Sequence, residues 1–251
     1  MNDFHGRVAA LEQELSRLGF SRRVGSTQIS WRGRWSGRDC IVSVARERRT
    51  SYAGEVRLRE TLGYRLRAEL ATTIRTQLYF VREGFARNAL VRWVYRLRRQ
   101  LVIERLPDDL RGFVAVTIDR DWAERFVTES GTTGEVCSLL TEGATTALAG
   151  SVYIAPTSES GRVYYASPIV DLDTLSADRS RVVLDRLERI GAAAERLPPP
   201  TVVREVGAFG RFSEKYPWAI AVGGLLGCMA LLALAAFLFV AIAVLLRTAR
   251  H

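Results

Sequence analysis

Apolar positions recur along this chain with three spacings, and each predicts a different kind of element. Phe4, Val8, Leu11, Leu15 and Leu18 fall at three- and four-residue steps. Residues 3–18 therefore predict an amphipathic helix that Asp3 can cap and Gly19 can stop. Its apolar face suits packing on a domain, or docking on a partner or a membrane surface. Residues 28–48 read as a hairpin around the turn dipeptide Ser36-Gly37. Residues 52–59 and 62–71 alternate polar and apolar as half-exposed strands do, and 74–81 is another strand; a helix competes over 62–83, where Ala, Leu, Glu and Arg favour it. Over 85–99 the helical spacing returns, with Phe85, Leu90, Trp93, Val94 and Leu97 on one face. Strands follow at 101–104 and 112–118, separated by a turn at Pro107-Asp108-Asp109. Asp119 then caps a helix over 120–129 with Trp122, Phe126 and Val127 inward. A second helix opens at Thr132 or Thr133 and ends at Gly150. Residues 151–155 and 162–166 form a hairpin, and a long helix runs over 174–196. Its outer face is supported by Arg181–Asp185 and Asp185–Arg189 pairs, and Pro198, Pro199 and Pro200 stop it.

The third spacing is no spacing at all. Residues 216–246 hold 31 positions without a charge. A bilayer's hydrocarbon needs about 20 apolar helical residues, so this run predicts a membrane-spanning helix. Tyr216 and Trp218 mark its headgroup-level start, and Leu246 and Arg247 its end. Ala219, Gly223 and Gly227 recur at four-residue steps and offer a packing face for a second copy. The expected fold class is α+β: a soluble cytosolic α+β region followed by a single C-terminal transmembrane helix. Its parts are an amphipathic helix over 1–19, an α+β domain over 20–197, a Pro-rich spacer and juxtamembrane segment over 198–215, the span 216–246, and a short basic tail over 247–251. The first twenty residues lack the apolar core of a signal peptide. That places the N-terminal region in the cytoplasm and the chain, as a single-pass protein, in the cell membrane of a bacterium.

Charge divides the α+β region. The net charge is +9, but residues 1–106 carry 22 arginines against 10 acids and 107–215 carry 12 basic residues against 17 acids. The domain therefore has a basic half (20–106) and an acidic half (107–197), which can dock on one another or turn a basic face to an anion. Arg87, Arg92, Arg96, Arg98 and Arg99 surround the apolar positions of 85–99. Arg204, Arg211 and Lys215 form the cationic side of the juxtamembrane segment, opposite Val202, Val206 and Phe209. Together they are candidate contacts to an anionic surface. Segment 85–99 fits a solvated helix packed on a sheet, a lipid surface, a protein partner or, least well, nucleic acid.

Catalytic chemistry leaves little trace. The two histidines, His5 and His251, stand near the ends, which disfavours a histidine-based triad. Cys40, Cys137 and Cys228 are isolated, with neither disulfide nor zinc spacing. The pairs Asp119/Asp121 and Asp171/Asp173 could hold a divalent cation, but each precedes a helix, where Asp normally caps. No catalytic residue, metal or cofactor is assigned.

From Phe20 to Leu197 the order of elements resembles a recurring type of uncharacterised bacterial domain joined to a membrane helix. The resemblance rests on Gly33 to Arg38 (GRWSGR), the strand Phe113-Val114-Ala115-Val116, Tyr153 with Tyr164, and the closing helix 174–196. It implies no activity. The chain thus reads as a C-terminally anchored membrane protein, a non-catalytic binding or scaffolding module at the cytosolic membrane surface. Its expected partners are the bilayer and its anionic headgroups, a second copy through the span, and an unknown protein. Two alternatives stay open: a membrane-associated enzyme using carboxylates such as Asp171 and Asp173 on a lipid or membrane-bound substrate, and a nucleic-acid-linked regulator using 85–99.

Overall fold

The computed structural model describes residues 3–24, 28–53, 56–142, 150–157, 160–171 and 174–203. They build one antiparallel sheet of nine strands with helices packed on it. In chain order the elements are α1 (Asp3–Arg17), β1 (Ser21–Val24), β2 (Gln28–Trp35), β3 (Arg38–Ala53), β4 (Val56–Thr72), β5 (Leu78–Arg82), α2 (Glu83–Ala86), α3 (Ala89–Leu97), β6 (Leu101–Ile103), β7 (Phe113–Thr117), α4 (Arg120–Glu129), α5 (Thr133–Thr141), β8 (Ser151–Pro156), β9 (Gly161–Ala166) and α6 (Ala177–Arg196). Across the sheet the strands run β1-β2-β3-β4-β9-β8-β5-β7-β6.

Turn chemistry starts the sheet. Ser36 and Gly37 both take left-handed φ, 49° and 80°, which is the twist a two-residue hairpin requires. The strands 52–59 and 62–71 are not separate from the hairpin. β3 and β4 run 16 and 17 residues and pair along nearly their whole length. The register shifts at Glu47/Arg48, opposite Gly63. There Val170 bonds back to Tyr64 across the strand, and a Cβ on Gly63 would meet the Val170 carbonyl at 2.8 Å. The hairpin of β8 and β9 then inserts between β4 and β5, so neighbours in space are far apart in the chain.

Alternation sorts the two faces of the sheet. Trp31, Val42, Ala68, Tyr165 and Val152 lie in one cross-strand row and are all buried. On this face α1 lays Val8, Leu11 and Leu15, α4 lays Trp122 and Phe126, α5 lays Val136, Leu139 and Leu140, and α6 lays Val183, Leu187, Ile190 and Ala194. Asp119 caps α4, accepting from Trp122 N at 3.1 Å, as its position before the helix predicts. On the outer face of α6 the predicted ladder is replaced by ties to other elements. Asp185 accepts from Trp35 Nε1, Arg181 reaches Glu14 and Arg189 reaches Glu135. The second helix, expected to run to Gly150, ends at Thr141 with Glu142 as its C-cap, and the side chains of Asp3 and Phe4 lie outside what the structure describes.

The expected membrane architecture is corrected. Among the described residues no helix is long and apolar enough to cross a membrane. The longest, α6, spans 20 residues but carries charges along its outer face, from Asp178 to Arg196. The span 216–246, with Tyr216, Trp218, Ala219, Gly223, Gly227, Leu246 and Arg247, and the cations Arg204, Arg211 and Lys215 lie outside the described residues. What stands is a mixed α+β fold. The single-pass, tail-anchored placement, the bilayer and headgroup partners, and the dimer through a transmembrane helix are set aside with the span.

Candidate anion-binding site

The second face of the sheet is unevenly covered. At the β5-β7-β6 end, α2 and α3 lie over it, burying Ala86, Val114 and Val116 beside Tyr79, Val81, Tyr95 and Val102. Over β1 to β4 it carries no helix among the described residues.

Strand register brings one row of side chains across this face. Arg32 lies beside Ile41, Ile41 beside Glu69, Glu69 beside Tyr164, Tyr164 beside Tyr153, and Tyr153 beside Tyr79. The three tyrosines stack with ring centroids 4.6 and 5.2 Å apart, so they form a wall rather than three loose rings. Gln77 donates from Nε2 to the Tyr79 hydroxyl at 3.1 Å and holds the far end.

At the other end of the row the face dips into a cleft of ≈ 200 Å³ lined by Arg23, Gln28, Ser30, Arg32, Ile41, Ser43, Arg67 and Glu69. Drug-sized ligands occupy roughly 300–1,000 Å³, so the cleft suits a small ion or a short headed molecule. Three guanidinium groups and one carboxylate line it. Arg23 and Arg32 form no salt bridge within 4 Å among the described residues, and Arg67 shares Glu47 with Arg65, its Nη2 3.6 Å from Glu47 Oε1.

Glu69 is the unusual member. Arg162, 15 % exposed, holds Nη1 at 3.7 Å from Glu69 Oε2, too far for a hydrogen bond, and that Nη1 has no hydrogen-bond partner. Burial pushes the Glu69 carboxyl above its usual range, although Arg162, Arg67 and Arg32 pull it down. Beside it, burial pushes the Tyr153 hydroxyl up to about 12, with Glu69 and Tyr79 adding to the shift and Arg67 opposing it. Tyr153 is therefore neutral, and the one carboxylate lining the cleft among the described residues is one whose charge burial disfavours.

The residues singled out from sequence lie elsewhere. Arg87 pairs with Glu83 and Arg92 with Glu104 at 2.7 Å; Arg96, Arg98 and Arg99 sit at the far end of α3. None joins the cleft. Asp119 is a cap, Asp171 is exposed, and Asp173 lies outside the described residues. No group of three or more His, Cys, Asp or Glu among the described residues could hold a metal. Cys40 is fully buried and its thiol is pushed up to about 12 by that burial, which removes it as a nucleophile. Arg23, Arg32, Arg67, Glu69 and Arg162 were not legible as a set. The local signal was polar residues at alternate positions of β4, and only pairing with β3 and β9 makes them neighbours.

Compared with protein-family models, with curated proteins and with solved structures, the chain matches none. The resemblance to a bacterial domain joined to a membrane helix is thereby corrected, since no family model carries it. Three functional readings fall as well. The membrane-held scaffold has no crossing helix among the described residues. The carboxylate enzyme has no metal-holding group there. The regulator that would grip nucleic acid through 85–99 has two of its five arginines tied to glutamates.

Proposed function

We propose that this domain binds a small, multiply charged oxyanion, of the phosphate or phosphomonoester class, in the cleft on its open sheet face. The observation that carries the reading is the convergence of Arg23, Arg32 and Arg67 with Ser30, Ser43 and Gln28 around ≈ 200 Å³. Guanidinium groups offer forked donors that match tetrahedral oxyanions, and hydroxyl and amide groups complete the shell. The reading is recognition rather than turnover: the Ser30 and Ser43 hydroxyls share the cleft with no histidine or lysine among the described residues to activate them, and the Glu69 carboxylate faces arginines.

Titration of inorganic phosphate and of a simple phosphomonoester into the full-length protein, followed by calorimetry, tests this. Hydrogen bonds to charged groups contribute roughly 1.5–3 kcal/mol each, net of exchange with water. The double variant Arg32→Ala, Arg67→Ala is expected to weaken binding by at least about 30-fold, about 2 kcal/mol. Unchanged affinity in that variant, or no binding at millimolar anion, overturns the reading.

Glu69 makes a second prediction with an unusual sign. An anion entering the cleft opposes ionised Glu69, whose other neighbours are Arg67 on its own strand, Arg32 on β2, Arg162 on β9 and the neutral Tyr153 hydroxyl. The bound anion therefore raises the Glu69 pKa further, and binding takes up a proton. Relative to Glu69→Gln, wild-type affinity is expected to gain as pH falls toward Glu69's already raised pKa, a comparison that cancels the ligand's own second ionisation near about 6. Glu69→Gln is expected to tighten binding at neutral pH by about tenfold, a repulsion of about 1.4 kcal/mol at half-buried dielectric. The same variant should remove Glu69's share of the pH dependence. Weaker binding in Glu69→Gln would mean that the carboxylate is a ligand-holding group instead.

A further inference from the structure

The helix α3 is inside out. An amphipathic helix on a sheet is expected to bury its apolar stripe. Here Leu90, Trp93 and Leu97, at steps of three and four, are 68 %, 59 % and 69 % exposed. Phe85 on α2 and Leu101 on β6 are exposed as well. The side turned to the sheet is modest, with Tyr95 packed against Val114 and Val116. The helix is nonetheless well made. The Asn88 side chain accepts from Leu90 N at 2.9 Å, and Gln100 N donates to Tyr95 O at 2.8 Å to close the C-terminus. That closure puts Arg99 at φ 55°, where glycine is the usual choice and another residue costs about 1 kcal/mol. A strained arginine thus stands at the end of an exposed apolar ridge.

Charge around the ridge is graded. Towards its start, Arg87 and Arg92 are matched by Glu83 and Glu104. Towards its end, Arg96, Arg98 and Arg99 have no carboxylate partner among the described residues. A second copy laid parallel on the ridge would bring these unmatched cations together, and laid antiparallel it would set them against Glu83 and Glu104, whose charges Arg87 and Arg92 already match. A uniformly anionic sheet of headgroups would meet Glu83 and Glu104. An amphipathic helix whose own flanks are acidic satisfies both the apolar stripe and the unmatched cations.

We propose that α3 is a docking ridge for an acidic amphipathic helix of a partner protein, with Leu90, Trp93 and Leu97 as the apolar contact and Arg96, Arg98 and Arg99 as the charged one. This site is independent of the anion cleft.

The probes are synthetic peptides of about 18 residues, five helical turns, that share one leucine face. One has glutamate flanks, one has lysine flanks, and one has the glutamate composition in scrambled order. Binding to the full-length protein is read by fluorescence anisotropy. The glutamate peptide is expected to bind at least tenfold more tightly than either control. The Leu90→Ser, Leu97→Ser variant is expected to lose at least tenfold, and because both positions are exposed its melting temperature should stay unchanged. Arg96→Glu with Arg98→Glu should shift preference toward the lysine peptide. Equal binding of the glutamate and scrambled peptides overturns the proposal. So does binding to anionic vesicles but not to the peptide, or dimerisation of the protein that Leu97→Ser abolishes.

Discussion

Glu195→Gln is expected to lower the stability of the folded domain by about 3 kcal/mol at neutral pH. Glu195 lies in the last turn of α6 and receives Arg38 through two hydrogen bonds, 2.7 and 2.6 Å. Thr72 Oγ1 and Thr73 N also donate to it, each at 2.8 Å. One carboxylate therefore joins α6, the start of β3 and the end of β4. The side chains of Arg38 and Glu195 are 22 % and 21 % exposed, so solvent screening is limited. The hydrogen bonds and charge of Arg38, aided by Thr73 and Thr72, outweigh burial and hold the Glu195 carboxyl down at about 2 against an ordinary 4.5. A depression of that size corresponds to about 3 kcal/mol. Because the folded pKa is the lower one, the contribution is complete above the unfolded pKa. It is lost as pH falls from about 4.5 toward 2. Denaturant unfolding of the wild type and Glu195→Gln should show the full difference at pH 7 and a much smaller one near pH 2. A constant difference across that range would mean that packing, not ionisation, carries the effect.

That clamp also shows where reading the chain stops short. Local elements were legible because local chemistry makes them. Ser36-Gly37 favours a tight turn, Asp119 before a helical pattern favours a cap, and Pro198 to Pro200 favour a helix stop. Pairings over long separations were not. Glu69 meets Tyr164 because the β8–β9 hairpin slots between β4 and β5, and Arg38 meets Glu195 because α6 packs across β4 and reaches the start of β3. No residue near either hairpin announces that choice. Sheet order depends on which edge the core leaves free, and that is a property of the whole layer.

Over 85–99 the limit is different. Periodicity identified the helix and its apolar stripe but left open whether a sheet, a lipid surface, a protein partner or nucleic acid meets that stripe. Spacing says which side chains share a face, but not which face the fold covers. The sheet beneath α3 is satisfied by Ala86 and Tyr95, so the stronger stripe is left outside. The same limit applies to the cleft. Arg65, Arg67 and Glu69 read as the polar side of a half-exposed strand, which they are. Their convergence with Arg32 and Arg162 appears only across three pairings.

Asp119→Ala is expected to cost about 3 kcal/mol and to free the chain beyond Pro200. Asp119 is 3 % exposed and does two jobs with its two oxygens. Oδ1 accepts from Trp122 N and starts α4. Oδ2 accepts from Thr201 N at 2.7 Å, Thr201 Oγ1 at 2.9 Å and Val202 N at 2.9 Å. Removing an N-cap costs about 1 kcal/mol, and leaving the donors around a charged acceptor unmatched adds roughly 1–3 kcal/mol. Burial alone would raise the Asp119 pKa. The hydrogen bonds from Val202, Trp122 and Thr201 outweigh it and lower the pKa below its ordinary value. Stability from this carboxylate is therefore present above the unfolded pKa of aspartate and lost as pH falls through the lower folded one. Asp119→Asn retains an oxygen for the helix cap but not a charged acceptor for the three donors, so it should recover part of the loss. Denaturant midpoints give the energies, and protease cleavage within 198–203 reports the released segment. Faster cleavage with an unchanged midpoint would confine Asp119 to holding the exit of the chain, whereas a lower midpoint with unchanged cleavage would confine it to α4. The geometry predicts that both change together, because a single carboxylate holds the start of one helix and the path taken after another.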